Sequence, residues 1–407
     1  MRLIAVVPHF EPDVAPTGAV ATRIVEELGG RGHRIEVVTS YPWYRDHRIE
    51  PGYDGRLYRY EDTPWGRITR VHPFPSADKR NIVRRGLSFA GFSALAAAVA
   101  APGKKADGVL AMSPPLTIGL TGYAIAKARR AKYVFNVQDV YPDVAVEVGV
   151  LKSKRVIAAA ARLERLCYEM ADAVTVLSDD LRDNVAAKTK RPEKVRVIPN
   201  FVDTDWIMPS ERENAYRKQY GLCGKTVVMY AGNVGFSQSL NLVLEAAASL
   251  AHEKNLVFVI NGQGSARSDL ERRARGLDNV VFVDMQPTER LPEVLAAGDI
   301  HLVPLKRGLA RSSVPSKTYS ILAAGRPLIA SVDEASEVAR VVDEAGAGLA
   351  VPPEDAGALT RAVADLIHDP AKMKEMGAAG RRFVEGWASP AAVAQSYERL
   401  FSQLRDG

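Results

Sequence analysis

The stretch RSSVPSKTYS, residues 311–320, sets Arg311 and Lys317 among the hydroxyls of Ser312, Ser313, Ser316 and Ser320. It leads into a helical pattern over 316–324, a stop at Gly325 and a buried-strand pattern over 327–330. A lysine in the first turn of a helix opposes the helix dipole, so its charge calls for a partner other than the helix. A capping serine, a fixed cation and free backbone N–H groups at the mouth of an α/β sheet suit an anion such as a phosphate group. Elsewhere, NVQDVYPD closes a strand pattern on Gln138 and Asp139. Asp139 can orient a hydroxyl, stabilise a nearby positive charge, or cap the following helix.

Short apolar runs alternate with amphipathic helical stretches along all 407 residues. Strands are expected at 3–8, 34–40, 108–113, 132–139, 173–178 and 195–200, with helices at 18–30, 86–101, 117–130 and 153–171 between them. The pattern restarts after residue 201: strands at 226–232, 256–262, 280–284, 300–305 and 327–331, and helices at 239–253, 266–275 and 289–297. Continuous apolar strands joined by helices predict parallel sheets covered on both faces. The expected fold class is therefore α/β with two Rossmann-like, doubly wound domains. The first spans 1–200 and the second 201–387, with a terminal helical pattern at 388–407. Each half opens with a strand that runs into glycine: Thr17 and Gly18 follow the first, Gly232, Asn233 and Gly235 the second. In such sheets ligands gather beyond the carboxyl ends of the strands. Neither loop reads G-x-G-x-x-G or GxxxxGK[ST], which argues against a dinucleotide oxidoreductase and an NTPase.

Composition narrows the class further. At 47% hydrophobic and 25% charged the chain is an ordinary globular protein. Its net charge of +6 favours an anionic partner. Aromatics make up 7%, with no run of basic and aromatic residues interleaved, so no nucleic acid is expected. Cys167 and Cys223 lie far apart without ligand spacing and read as two buried thiols; the histidines show no metal spacing either. The apolar run 86–101 is shorter than the ~20 residues that span a bilayer. Its flanks carry Lys79, Arg80, Arg84 and Arg85 on one side and Lys104 and Lys105 on the other. Basic ends around an apolar body suit a helix lying on an anionic membrane, or a core helix with solvated ends.

In this order, YAGNVGFSQSLNLVLEA, FVINGQGSARSDLE, AAGDIHLVPL and PSKTYSILAAGRPLIAS resemble the second domain of a GT-B glycosyltransferase of the retaining group-1 type, family GT4. DVAPTGAVATRIVEELGGRGHRIEVVTS, MADAVTVLSDDLRDNV and VRVIPNFVDTDWI are similar to its first domain, and the subgroup most alike in feel assembles O-antigen, capsule and colanic acid. The resemblance implies two Rossmann-like domains facing an interdomain cleft: an acceptor-binding first domain, completed by the terminal helix 388–407, and a second domain that binds a nucleotide sugar, UDP favoured. It implies transfer to a membrane-linked acceptor, a polyprenyl-diphosphate-sugar in kind, by a protein at the inner face of the plasma membrane. No metal cofactor is implied, and the departing phosphate takes the acceptor's proton, so no protein nucleophile is required.

Carried over residue by residue, the donor side would comprise Asn233, Gly235, Gln238, Gly262, Gly264, Ser316, Ser320 and Glu337, with Arg311 and Lys317 on the phosphates. Thr17, Gly18 and Gln138 would serve the acceptor side, and Asp139 the reacting centre. The family's two glutamates fall here on Ser312 and Ser320, and its usual Arg and Lys on Asn233 and Gln238. Cationic charge is thus expected to have moved to the 311–317 loop. A nucleotide-sugar epimerase of the same fold and a non-catalytic sugar- or nucleotide-binding protein remain as alternatives.

Overall fold

Apolar runs become strands and amphipathic stretches become helices in two α/β units. The structure, a computed structural model, describes residues 1–45, 47–53, 55–75, 82–147, 151, 153–235, 238–308 and 317–406. One unit comprises Met1–Asn200 with Pro390–Gly407, the other Phe201–Ser389. The first runs β1 (Arg2–Val6), α1 (Pro16–Gly30), β2 (Arg34–Ser40), β3 (Tyr58–Thr63), β4 (Gly66–Val71), α2 (Ile82–Ala100), β5 (Gly108–Ser113), α3 (Thr117–Arg129), β6 (Lys132–Val137), α4 (Asp143–Glu147), α5 (Lys154–Met170), β7 (Ala173–Val176), α6 (Asp179–Ala186) and β8 (Val195–Val197). The second runs α7 (Ala215–Gln219), β9 (Thr226–Ala231), α8 (Asn241–Ser249), β10 (Leu256–Asn261), α9 (Arg267–Arg273), β11 (Val280–Val283), α10 (Leu291–Ala297), β12 (Ile300–Pro304), α11 (Lys317–Ala323), β13 (Leu328–Ser331), α12 (Glu337–Ala345), β14 (Gly348–Val351), α13 (Ala356–Ile367) and α14 (Pro370–Trp387). Helix α15 (Pro390–Asp406) belongs to the first unit.

The first sheet has the order β3-β4-β2-β1-β5-β6-β7-β8, the second β11-β10-β9-β12-β13-β14. The second is parallel throughout; the first carries one antiparallel pair, β3 on β4, where an all-parallel sheet was expected. The reason lies in β3 itself. YRYEDT alternates exposed with half-buried residues, the signature of an edge strand with one face to water. In each sheet the chain reverses its direction of winding at one strand. That strand is β1, between β2 and β5, in the first sheet, and β9, between β10 and β12, in the second. Loops leaving the carboxyl end of a strand at such a reversal splay apart and leave a crevice for ligands.

Val6, Val38, Val109, Phe135 and Val174 form the centre of the first core, capped by Phe92, Ala96 and Ala100 of α2. Helix α15 docks through Tyr397 and Phe401, both buried. Gly108 makes room: a Cβ there would lie 2.4 Å from the Phe401 ring. Around α1 and β2, Glu398 of α15 binds His33 Nε2 at 3.0 Å and Arg31. The second core gathers Val228, Tyr230, Phe258, Ile260 and Leu302 under α8 and α13. The two thiols differ from the expectation: Cys167 is buried, whereas Cys223 is exposed, in the turn after α7 between Gly221 and Gly224. Composition cannot place a cysteine in a glycine-flanked turn.

Candidate functional site

At the carboxyl end of β9 the backbone turns sharply through Gly232, whose φ is 140°. This turn nests against the one after β10. A Cβ on Gly262 would fall 1.8 Å from the Gly232 carbonyl oxygen, and one on Gly264 2.2 Å from that of Val234. Glycine is required at both positions because backbone meets backbone. Val234 N–H donates to the Gln263 carbonyl at 2.8 Å, and Ala266 N–H to that of Val234 at 3.0 Å, so the nest is rigid. Gly235 N–H donates to Gln238 Oε1 at 3.1 Å, and the Tyr230 hydroxyl donates to the Asn233 carbonyl.

Into this nest reaches Lys317, the first residue of α11. Its Nζ stands 4.1 Å from the centroid of the Tyr230 ring, and 3.6 Å from where a Cβ on Gly232 would be. Among the described residues no carboxylate pairs with it. Desolvation alone lowers its pKa from 10.5 to about 7. A cation packed on an aromatic face and glycine backbone, with no carboxylate partner among the described residues, can receive an anion. Asn233, Gly235, Gln238, Gly262, Gly264 and Lys317 are thus brought together at the adjacent carboxyl ends of β9 and β10. Arg311 and Ser316 lie outside the described residues. Ser320 is half-buried one turn into α11, and its carbonyl accepts from Ala324 N–H at 3.1 Å. Glu337 is buried in the first turn of α12, where Arg340 binds it at 2.9 Å.

In the first unit a second group of polar residues closes on the ends of β1 and β6. Gln138 is buried: its Nε2 donates to Asn136 Oδ1 at 2.7 Å and its Oε1 accepts from Asn200 at 2.8 Å. Asn136 in turn donates to Thr175 at 3.1 Å and to the Tyr397 hydroxyl at 2.9 Å. This chain fixes the Gln138 amide. Asp139, next along, is exposed to solvent on one side, yet desolvation raises its pKa. Thr17 is half-buried in the first turn of α1 and Gly18 is buried. Gly18 serves a close approach, since a Cβ there would be 3.1 Å from His9 Cβ.

The family model described as Glycosyl transferase 4-like domain matches residues 17–200, and that described as Glycosyl transferases group 1 matches residues 225–369. The chain belongs to the group-1 glycosyltransferases. It is 29% identical over 379 residues to WcaI of Escherichia coli K12, named for colanic acid biosynthesis, covering 90% of this chain and 92% of that one. Its fold is that of sucrose-phosphate synthase from Thermosynechococcus elongatus, with TM-score 0.68, 19% identity and 99% of both chains covered. It is also that of Anabaena HepE solved with UDP-glucose, with TM-score 0.62, 15% identity, and 99% of this chain and 100% of that one covered.

Sequence reasoning about this glycosyltransferase missed two features. Tyr230 as the platform for Lys317 lies 87 positions before it and only the fold joins them. The pairing of His9 with Asp13 had a signal, a spacing of four, but in a loop that spacing guarantees no contact. The α2 segment places Phe92, Ala96 and Ala100 in the core, while Leu87, Ala90, Ala94 and Ala98 face solvent. Arg80 lies outside the described residues, as do the side chains of Arg84 and Arg85. Among the described residues no helix is long and apolar enough to cross a membrane, and no group of three or more His, Cys, Asp or Glu could hold a metal ion.

Proposed function

We propose that this glycosyltransferase moves a sugar from a nucleoside diphosphate donor, UDP favoured, with retention of configuration. The acceptor is a membrane-linked, polyprenyl-diphosphate-type sugar, and the product a cell-surface polysaccharide or glycolipid. Lys317 carries the reading: a desolvated ammonium aimed at the glycine nest after β9 needs an anion of the diphosphate class. When the bond between the anomeric carbon and the diphosphate oxygen breaks, negative charge grows on the phosphate and positive charge on the sugar ring. Lys317 and the Gly235 turn stabilise the former; each charge-assisted bond is worth roughly 1.5–3 kcal/mol. Arg311 and Ser316, just before Lys317 in the chain, add to the same grip. Gln138, held by Asn136 and Asn200, serves the acceptor side, and Asp139 orients the acceptor hydroxyl. The departing phosphate oxygen accepts that hydroxyl's proton, so neither a protein nucleophile nor a metal cofactor enters the step.

WcaI's name supports the polysaccharide context, and the HepE complex supports UDP-glucose as a kind of donor this fold accommodates. The outward Leu87-Ala90-Ala94-Ala98 stripe of α2, beside Lys104 and Lys105, supports peripheral attachment to the inner face of the plasma membrane. Thermal shifts with UDP, GDP and ADP test the donor: one nucleotide should stabilise the wild type and fail to stabilise Lys317→Ala. Equal stabilisation of both proteins would remove Lys317 from the phosphate site. Co-sedimentation with vesicles containing anionic lipid tests the membrane.

A further inference from the structure

The carboxyl end of β1, where the first sheet reverses its winding, holds a preorganised pair that the donor chemistry does not use. His9 Nδ1 lies 2.7 Å from Asp13 Oδ2. The Asp13 side chain is 1% exposed, and its other oxygen accepts the Tyr44 N–H at 3.1 Å. A carboxylate can only accept, so Asp13 fixes the hydrogen on Nδ1 and leaves Nε2 as the ring's other polar atom, on a side chain 12% exposed. No described residue hydrogen-bonds Nε2, and Gly18 holds α1 tight against the His9 backbone. Around the imidazole stand flat rings: Tyr44 edge-on at 5.3 Å and Trp43 tilted at 5.7 Å. Tyr44 is 41% exposed although its backbone is pinned to Asp13.

An aligned imidazole beside an exposed aromatic face matches one ligand class. A sugar ring has a C–H face that packs on an aromatic ring and hydroxyls at its rim that hydrogen-bond a fixed acceptor or donor. We propose that His9, Asp13 and Tyr44 form a saccharide subsite on the first unit, which holds a monosaccharide of the acceptor. The ring stacks on Tyr44 and one hydroxyl bonds to His9 Nε2. Asp13 is a positioning residue: it sets the tautomer without touching the sugar. The inference rests on the glycosyl-transfer reading, and it makes the acceptor's sugar, rather than its lipid, the part recognised here.

Methyl glycosides of glucose, galactose, mannose, fucose and N-acetylglucosamine serve as probes, observed by saturation-transfer NMR on the full chain at pH 8. At least one should bind the wild type and bind about tenfold more weakly to Tyr44→Ala and to His9→Ala. Exposed Tyr44 can be truncated without touching the core, so that variant guards against a folding artefact. In Asp13→Asn the amide donates to Nδ1 and moves the ring hydrogen to Nε2. The His9 side-chain nitrogen shifts should exchange, and glycoside affinity should fall with them. The nucleoside diphosphate thermal shift should be unchanged in all three variants, which separates this subsite from the donor assignment. Glycosides that bind wild type and variants alike, or no glycoside binding to the wild type, would overturn the proposal.

Discussion

Replacing Lys317 by methionine should make the protein more stable while removing its grip on the donor. Lys317 has a pKa of about 7 in the folded chain against an ordinary 10.5. Each tenfold change in its proton affinity corresponds to about 1.4 kcal/mol. For a lysine whose folded-state pKa is depressed, the unfolded chain binds more protons between the two values. Its cost is therefore full below pH 7 and fades as pH rises toward 10.5. At pH 7 it comes to roughly 4 kcal/mol, and at pH 9 to roughly 2 kcal/mol. Methionine keeps the packing on Tyr230 through its sulfur but forfeits a cation–π contact worth about 0.5–2 kcal/mol. The net gain expected at pH 7 is about 2 kcal/mol, or roughly 4–8 °C in the melting of the second unit. Urea unfolding followed by circular dichroism at pH 7 and pH 9 measures it, with nucleotide thermal shifts as the functional arm. A variant no more stable than the wild type at pH 7, or an advantage that does not shrink by pH 9, would refute the reasoning.

Other perturbations follow from the same geometry. Gly264→Ala puts a Cβ 2.2 Å from the Val234 carbonyl; it should cost about 1–3 kcal/mol and abolish the nucleotide shift, as differential scanning fluorimetry would show. His301 is buried with its pKa lowered to about 4, so the fold should weaken by roughly 3 kcal/mol as pH falls from 6.5 through 4. Urea titrations at pH 7 and 4.5 check this, and His301→Gln should flatten the dependence. A thiol reagent should titrate exposed Cys223 in the native protein and Cys167, whose pKa burial pushes up to about 12, only after unfolding.

What the sequence disclosed depended on how local the cause was. The strands β2 and β5 are legible at their observed bounds because RIEVVTS is rich in β-branched residues and GVLAMS is a continuous apolar run. The hairpin of β3 and β4 escaped because its first strand is polar on its outer face and lies at a sheet edge. Lys317 could be singled out because it opposes its own helix dipole, but what its ammonium touches is decided by Tyr230, on another strand. Gly18 looked like a ligand turn, and the structure shows that His9 occupies the space a side chain would need. The pairing of His9 with Asp13 depends on a loop path that no periodicity encodes.

Calorimetry of nucleotide binding in buffers of different ionisation enthalpy tests most directly whether Lys317 receives the diphosphate. A lysine with a pKa of about 7 is almost wholly neutral at pH 8, and an anion beside it restores its charge. Binding UDP, or whichever nucleotide the thermal shifts select, should therefore take up about 0.9 proton at pH 8 in the wild type and close to none in Lys317→Met. Tight binding by the wild type with no proton uptake at pH 8 would contradict the account.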